Sequence, residues 1–245
     1  MFPDVDEVQV RSGGGQSPTV VKMPEVATVM VFRTTPERRS DLIVLGPRTR
    51  GSYHSGEAPP VCIQLRLRAG QARALFGVPV HELVDRAVPL VDLWGAAARR
   101  LTSAVAEAGD DTGLALSRIA DAFAARVPEP GNPLLSAAAR ELTSPSARLS
   151  EVAGRVGVSE RHLRNLFARE VGLSPKHFAR ISRLGKVLAL AGRREWSAVA
   201  EDAGFFDQAH MISDFRALMG VSPTAFLSGR LPAVTPCTAL TRSFA

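Results

Sequence analysis

The sequence predicts an α+β N-terminal domain followed by an all-α C-terminal domain with two helix-turn-helix units. Three observations lead to this fold class. Short β-branched segments bounded by turn residues occupy the chain from about residue 27 to residue 68. After Gly70 the apolar residues recur at helical spacing instead. Two similar segments then occur within the last hundred residues, and they end alike in GLSPKHF and GVSPTAF.

The first half is predicted to be an α+β domain over residues 25–142, preceded by a flexible tail over residues 1–24 that contains RSGGGQSPT. ATVMVF and DLIVLG have the composition of short strands. VCIQLRLR alternates strictly, with Val61, Ile63, Leu65 and Leu67 on one face and Cys62, Gln64, Arg66 and Arg68 on the other. Segments such as LALSRIADAFAARV then predict helices.

A change in composition near Ser144 predicts a domain boundary. The segments VPEPGNP and TSPSA are rich in turn residues, and a helical domain is predicted over residues 143–231, with a tail over 232–245. Residues 1–142 contain 16 Lys/Arg and 16 Asp/Glu, whereas residues 143–245 contain 14 and 8. The whole net charge of +6 therefore lies in the second half. This asymmetry favours nucleic acid as a partner, although arginine-rich composition alone also produces basic proteins.

The second half contains two copies of a helix-turn-helix pattern, at residues 149–178 and 196–227. SEVAGRVG matches SAVAEDAG at an offset of 47 residues, and the later segments match at an offset of 48, so the second turn has one extra residue. In the first copy, Ser150 is predicted to cap the first helix, Gly157 to form the turn and Ser159 to cap the second helix.

The second helix of the first unit separates apolar from polar residues. Its predicted buried stripe is Leu163, Leu166 and Phe167. Its outward face is Arg161, Arg164, Asn165 and Ala168. Arg and Asn form bidentate hydrogen bonds with guanine and adenine edges in the major groove, so this face is predicted to read DNA. The alternative is an amphipathic helix whose arginines are merely solvated.

The second unit is predicted to have a less polar outward face. Asp207 is the predicted cap, and Met211, Phe215 and Leu218 the buried stripe. The outward residues are Gln208, Ala209, Ile212, Ser213 and Arg216. Gln208 is suited to reading adenine and Ile212 to contacting a thymine methyl group.

Over residues 149–227, including the GLSP and GVSP signatures, the chain resembles the DNA-binding domain of the AraC/XylS family of bacterial transcription regulators. The resemblance implies seven helices, with a long helix joining two units whose recognition helices enter successive major grooves on one face of DNA. It implies base contacts for Arg161, Arg164, Asn165, Gln208, Ala209 and Ser213. Family members often carry a basic residue at or beside the position of Ser213. Because Asp214 follows it here, the second unit is expected to contribute less affinity or to tolerate more sequence variation.

Phosphate contacts are predicted from side chains around the two recognition helices. The candidates are Arg155, Ser159, Lys176, Arg180, His210 and Arg216. With the base contacts, they predict two recognition helices in adjacent major grooves, about 34 Å apart.

The first half is predicted to sense a ligand or to mediate dimerisation. LGPRTRGSYHSG and LRAGQARALFGVPVHELVDRAVPLVDLWG resemble an uncharacterised domain that precedes AraC-type domains in actinobacterial-type regulators. The candidate effector-binding residues are Tyr53, His54, Gln64, Arg66 and Trp94. The alternative is that the arginines form the solvated face of an antiparallel sheet. The helix predicted over residues 94–108 fits either a dimer interface or the core.

The predicted function is a sequence-specific DNA-binding transcription regulator, and the alternative is an adaptor whose helical half docks another protein. No catalytic motif is present, so an enzyme is not expected. No cofactor or metal is expected, because Cys62 and Cys237 are isolated. Candidate partners are a double-stranded DNA operator, RNA polymerase, a small-molecule effector and a second copy of the chain. The absence of a signal-like or membrane-spanning segment favours a cytoplasmic location and no membrane partner.

Overall fold

The computed structural model describes residues 5–12, 19–34, 40–55, 61–126, 132–144 and 147–236. The strands are β1 (Val5–Ser12), β2 (Val20–Lys22), β3 (Val29–Thr34), β4 (Ser40–Leu45), β5 (Ser52–Ser55), β6 (Val61–Leu67), β7 (Ala87–Pro89) and β8 (Thr235–Pro236). The helices of the first half are α1 (Gln71–Phe76), α2 (Leu90–Trp94), α3 (Ala96–Glu107) and α4 (Thr112–Ala124), with a 3₁₀ turn at Val80–Glu82. The helices of the second half are α5 (Pro133–Leu142), α6 (Leu149–Arg155), α7 (Glu160–Glu170), α8 (Pro175–Leu190), α9 (Trp196–Ala203), α10 (Gln208–Met219) and α11 (Pro223–Leu227).

The predicted fold class is confirmed, because β1–β6 precede residue 70 and every described helix follows it, with only the short strands β7 and β8 later in the described chain. Five strands form an antiparallel sheet in the order β1-β6-β3-β4-β7. The alternation of β6 is confirmed for its described side chains, because Ile63, Leu65 and Leu67 are buried in a core shared with α1–α4. On the other face, Cys62 packs with Val29 and with other apolar side chains of the sheet.

The prediction of a flexible tail over residues 1–24 was wrong for its described part. β1 pairs antiparallel with β6, from Val5 opposite Leu67 to Ser12 opposite Val61, and β2 pairs with β5. The polar side chains of β1 suit this position because β1 is an edge strand, held by backbone hydrogen bonds with an exposed face. The glycine-rich residues 13–18 lie outside the described residues.

A second, three-stranded sheet combines two strands of the first half with the last described strand of the chain. Its order is β2-β5-β8, and β8 pairs parallel with β5 through His54 and Thr235. The predicted tail over residues 232–245 therefore begins with a segment that returns to the first half. Residues 237–245, including Cys237, lie outside the described residues.

The second half contains seven helices within residues 132–236, the number that the family resemblance implies. They enclose one core, in which Phe167, Phe178 and Phe215 are buried. Leu135 and Leu142 of α5 belong to this core, although the sequence assigned α5 to the first domain. The two cores therefore separate between α4 and α5, before the boundary predicted at residue 143. None of the described helices is long and apolar enough to cross a bilayer.

Candidate nucleic-acid interface

The first recognition helix is α7, and its start follows the predicted capping. The Ser159 hydroxyl accepts the backbone N–H of His162 at 3.1 Å, which satisfies one of the free donors of the first turn. Gly157 adopts φ +74° in the preceding turn, a left-handed conformation that favours glycine. The prediction of Ser150 as the cap of α6 was wrong, because α6 begins at Leu149 after Arg148.

One face of α7 is buried and the opposite face is open. Leu163, Leu166 and Phe167 pack into the core, as their i, i+3, i+4 spacing predicted. The side chains on the opposite face are exposed, namely Arg161, Arg164, Asn165 and Ala168. The Arg164 guanidinium forms an ion pair with Glu160 one turn earlier. Arg161 has no ion pair among the described residues.

The second recognition helix is α10, capped by Asp207 as predicted. The Asp207 carboxylate accepts the backbone N–H of His210 at 2.7 Å. Met211, Phe215 and Leu218 are buried. Gln208, Ala209 and Ser213 are exposed. Ile212 is half-buried and packs against the core, so the structure limits its side chain as a contact for a thymine methyl group.

Asp214 occupies a junction between α10 and α8. Its side chain is only 13% exposed, and it accepts a hydrogen bond from the Arg180 Nε at 3.0 Å. Arg183 and His210 lie 3.8 and 3.9 Å from its other oxygen. Burial lowers the pKa of the Arg183 guanidinium, and the charge of Asp214 acts in the opposite direction.

This junction changes two sequence-based interpretations. The carboxylate of Asp214 is directed toward α8 and is neutralised there, so it adds little repulsion on the outward face of the second unit. Arg180 was predicted to contact phosphate. The structure gives it a carboxylate partner inside the protein instead, and only a quarter of its side chain is exposed.

The remaining candidates for phosphate contacts lie at the surface. Lys176, His210 and Arg216 are exposed, and Ser159 is exposed while it caps α7. The Arg155 Nε donates to Glu141 at 2.9 Å, and this pair is also exposed. An exposed ion pair contributes about 0–1 kcal/mol, so Arg155 remains available to a phosphate.

The extra residue of the second turn is Phe206, which is not among the predicted contact residues. Val158 and Phe205 occupy equivalent positions, because their N–H groups bond to Ala153 and Ala200, 47 residues apart. The caps Ser159 and Asp207 are 48 residues apart, which leaves Phe206 as the insertion. Its side chain is 93% exposed. The change of offset, at an apolar residue beside a helix cap, was the signal in the sequence.

Two of the predicted effector residues line a cleft between the halves. Gln64 and Arg66 on the open face of the sheet lie opposite Ser182 and Gly185 of α8, around a cavity of about 640 Å³. The Arg66 Nη2 donates to Glu25 at 2.7 Å, while its Nε is buried without a hydrogen-bond partner among the described residues.

The other three predicted effector residues are not in this cleft. His54 lines a separate, neighbouring pocket, and burial lowers the pKa of its imidazole. Tyr53 is buried and donates its hydroxyl proton to the Met219 carbonyl at 2.8 Å. The placement of Trp94 with Gln64 and Arg66 was wrong, because Trp94 lies in the α1–α4 core behind the sheet. Its indole N–H donates to the Leu75 carbonyl at 3.0 Å, which satisfies its polar group without a ligand.

Comparison with known proteins identifies the helical half. Residues 152–229 match a protein family described as a helix-turn-helix domain, of the AraC type. No curated protein is similar enough in sequence to count as a relative.

Solved structures of AraC-type regulators resemble parts or most of the chain. The C-terminal domain of AraT from Geobacillus stearothermophilus is 24% identical, covering 42% of this chain and 89% of that one, with a TM-score of 0.38. A probable AraC family regulator from Rhodopseudomonas palustris is 25% identical, covering 40% and 94%, with a TM-score of 0.33. ToxT from Vibrio cholerae with a bound unsaturated fatty acid is 12% identical, covering 95% and 100%, with a TM-score of 0.46.

The family match covers the two helix-turn-helix units, whose second helices α7 and α10 each expose one face. Residues 152–229 are therefore an AraC-type helix-turn-helix domain, the kind of domain that DNA-binding transcription regulators carry.

Proposed function

We propose that α7 and α10 enter two adjacent major grooves on one face of a DNA operator. The observation that carries this proposal is the exposure of all six predicted base-contacting residues on two helices that share one core. These residues are Arg161, Arg164, Asn165, Gln208, Ala209 and Ser213. The two units are connected by α8, which has 16 residues and is therefore about 24 Å long. A continuous helix of this length is a rigid spacer between two readers.

The first unit supplies the strongest direct readout. Arg161 and Arg164 present guanidinium groups that can donate two parallel hydrogen bonds to the O6 and N7 atoms of guanine, and Asn165 matches the N6 and N7 atoms of adenine. The ion pair of Arg164 with Glu160 is exposed and therefore weak. This ion pair holds the Arg164 guanidinium near the start of α7, and the guanidinium can exchange Glu160 for a base when DNA binds.

The second unit supplies a more apolar surface, because Phe206 directly precedes the Asp207 cap and Ala209 is exposed in the first turn of α10. The Phe206 side chain is 93% exposed, so nearly all of its apolar area lies in water. Removing that area from water is favourable by about 25 cal/mol per Å². A thymine methyl group at the edge of the major groove is an apolar partner that removes this surface from water. We assign Phe206 to the DNA-contacting surface on this basis.

The test is selection of DNA fragments by the full-length chain from a random pool, followed by titration of the enriched fragment against salt. We expect a two-part motif with half-sites one helical turn, about 10–10.5 base pairs, apart. The logarithm of the affinity should fall linearly with the logarithm of salt concentration, by about 0.9 per phosphate contact. Failure to enrich any sequence would overturn the proposal. It would leave the adaptor function, for which docking through apolar surface is much less sensitive to salt.

We further propose that the cleft between the sheet and α8 binds a small polar or anionic effector. Lys22, Arg48 and Arg66 contribute positive charge, against Glu7 and Glu25. Arg48 is half-buried in the wall of this cleft, and this burial lowers the pKa of its guanidinium, against the charges of Glu25 and Asp85. Because the cleft is lined by both halves, an occupant would contact the DNA-binding half directly through α8, which gives it a route to shift the equilibrium between arrangements of the two halves.

The effector proposal is tested by thermal unfolding of the full chain with a panel of carboxylates and phosphate esters. A ligand that binds only the folded chain raises the Tm as its concentration increases. The Arg66→Ala variant should lose that increase, while Arg100→Ala, on the exposed face of α3, should keep it. An increase of equal size in both variants would place the ligand elsewhere.

A further inference from the structure

The C-terminal end of α10 is fastened to the first half by two hydrogen bonds. The last carbonyl groups of a helix have no partner within the helix. Here the Leu218 carbonyl accepts the backbone N–H of Gly51 at 2.7 Å, and the Met219 carbonyl accepts the Tyr53 hydroxyl at 2.8 Å. Both donors come from the end of the β4–β5 loop and the start of β5, so the sheet domain completes the second recognition helix.

These contacts are closely packed and buried. A Cβ atom on Gly51 would lie 3.0 Å from the Met219 sulfur, closer than most real Cβ contacts. Tyr53 is 6% exposed and belongs to the core of the helical half, although it lies in a strand of the other half. Burial raises the pKa of its hydroxyl, so the group stays protonated and remains a donor at neutral pH.

The loop that carries Gly51 is anchored in its own domain by Asp85. The Asp85 carboxylate accepts the Thr49 backbone N–H at 2.7 Å and the Thr49 hydroxyl at 2.6 Å. Asp85 itself adopts φ +56°, an unfavourable conformation for a residue with a side chain. The surrounding hydrogen bonds maintain this conformation, including that of the Asp85 N–H to the Pro47 carbonyl at 2.8 Å.

The C-terminal end of α7 contacts the same domain. The Arg73 guanidinium of α1 lies 3.3 Å from Glu170, the last residue of α7. Gly172, two residues beyond Glu170, adopts φ +78°, and a Cβ atom there would lie 2.8 Å from Val84 and 2.9 Å from the Val80 carbonyl. Both recognition helices are therefore fastened at their C-terminal ends to one domain, while their N-terminal ends and outward faces are exposed.

We propose that the first half sets the angle between α7 and α10 and thereby selects the spacing of the two half-sites, with Tyr53 as the positioning residue for α10. This inference rests on the proposed function, in which both helices read DNA. The α8 helix fixes the distance between the units, and the contacts at Gly51, Tyr53 and Arg73 fix their orientation. Loss of one contact lets α10 rotate against the core of the helical half. The chain then binds operators in which the spacing between the half-sites is one base pair longer or shorter.

The test measures the affinity of the full chain for its selected operator and for versions with one base pair inserted or deleted between the half-sites. In Tyr53→Phe we expect the preference for the selected spacing to fall by about three- to tenfold, the range set by the loss of one buried hydrogen bond. The matched control is Ser52→Ala, which removes a hydrogen bond to the His54 ring within the same strand and should keep the preference. Thermal unfolding verifies that both variants fold.

The outcomes separate the two proposals. If the wild-type chain enriches no two-part motif, the proposed function fails and this inference fails with it. If the wild type prefers one spacing and Tyr53→Phe keeps the same ratio, only the inference is overturned, even where the variant unfolds at a lower temperature. Arg73→Ala supplies a second variant, at the C-terminal end of α7. If its ratio of affinities for the selected and altered spacings is also unchanged, the contacts between the halves contribute only to stability.

Discussion

Arg180 and Asp214 connect the helix that joins the two units to the second recognition helix. The Arg180 Nε donates to the Asp214 carboxylate at 3.0 Å, and Arg183 reaches its other oxygen. Asp214 is thus the shared partner of two arginines on α8. Asp214, the acidic residue that follows Ser213, therefore holds α10 against α8.

We expect Asp214→Asn to lower the free energy of unfolding by about 1–3 kcal/mol, because two partly buried guanidinium groups lose their charged acceptor. Denaturant unfolding measures this loss. The control is Asp202→Asn, which breaks the exposed pair with Arg194 and should cost under about 1 kcal/mol. Equal effects in the two variants would show that the Asp214 junction contributes no more than a surface pair.

We expect Arg164→Ala to weaken binding to the selected operator by about 1–3 kcal/mol and to relax the preference at one base position. The measurement is affinity across operators substituted at each position. Arg193→Ala removes an exposed arginine outside the recognition helices and should leave the preference unchanged. If the pattern of preferred bases is the same in Arg164→Ala as in the wild type, Arg164 is removed from the base-reading set.

Phe206→Ser should weaken operator binding without lowering the Tm, because the side chain is 93% exposed and buries no area in the fold. The affinity loss should shrink when the thymines of the second half-site are replaced by uracil, which lacks the methyl group. A loss that is the same on thymine and uracil operators would move the contact to the sugar-phosphate backbone. Unchanged affinity would leave Phe206 outside the interface.

Stability should fall as the pH drops below about 6.5, because burial lowers the pKa of His177 in the folded chain. The Thr49 backbone and the charges of Asp85 and Asp214 favour the protonated ring, while Arg180 opposes it, but burial is the largest cause. The unfolded chain then binds the proton more readily than the folded chain, so the stability present above pH 6.5 is lost on acidification.

The Tm between pH 7.5 and 5 measures this effect. His177→Gln should reduce the slope without abolishing it, because the pKa of His54 is also lowered. The exposed His162 supplies the control, and His162→Gln should leave the slope unchanged. An unaltered slope in His177→Gln would contradict the assignment.

Much of the helical half was predictable because its determinants are local. The caps Ser159 and Asp207 and the buried stripe of Leu163, Leu166 and Phe167 follow from spacing within one helix. The cap of α6 was misplaced by two residues, because α6 begins after Arg148, whose side chain makes no capping hydrogen bond for a sequence pattern to reveal. The role of α5 was missed because its sequence shows only that one face is apolar, not which core that face enters.

The candidate site residues also divide into those whose environment follows from local sequence and those whose environment depends on distant residues. Exposure of Arg161 and Arg164 follows from helical periodicity. The partners of Arg180, Tyr53 and Trp94 depend on residues between 19 and 166 positions away in the chain, which no local pattern specifies.

Hydrophobic periodicity and capping act over a few residues, so the fold class, the two helix-turn-helix units and the outward faces of both recognition helices, apart from Ile212, follow from the sequence alone. The packing of distant segments places β1 in the sheet, neutralises Asp214 against α8, and brings Gly51 and Tyr53 to the end of α10. These features depend on which polar groups meet when distant segments pack, because most buried donors and acceptors are paired in the folded chain and no local pattern specifies their partners.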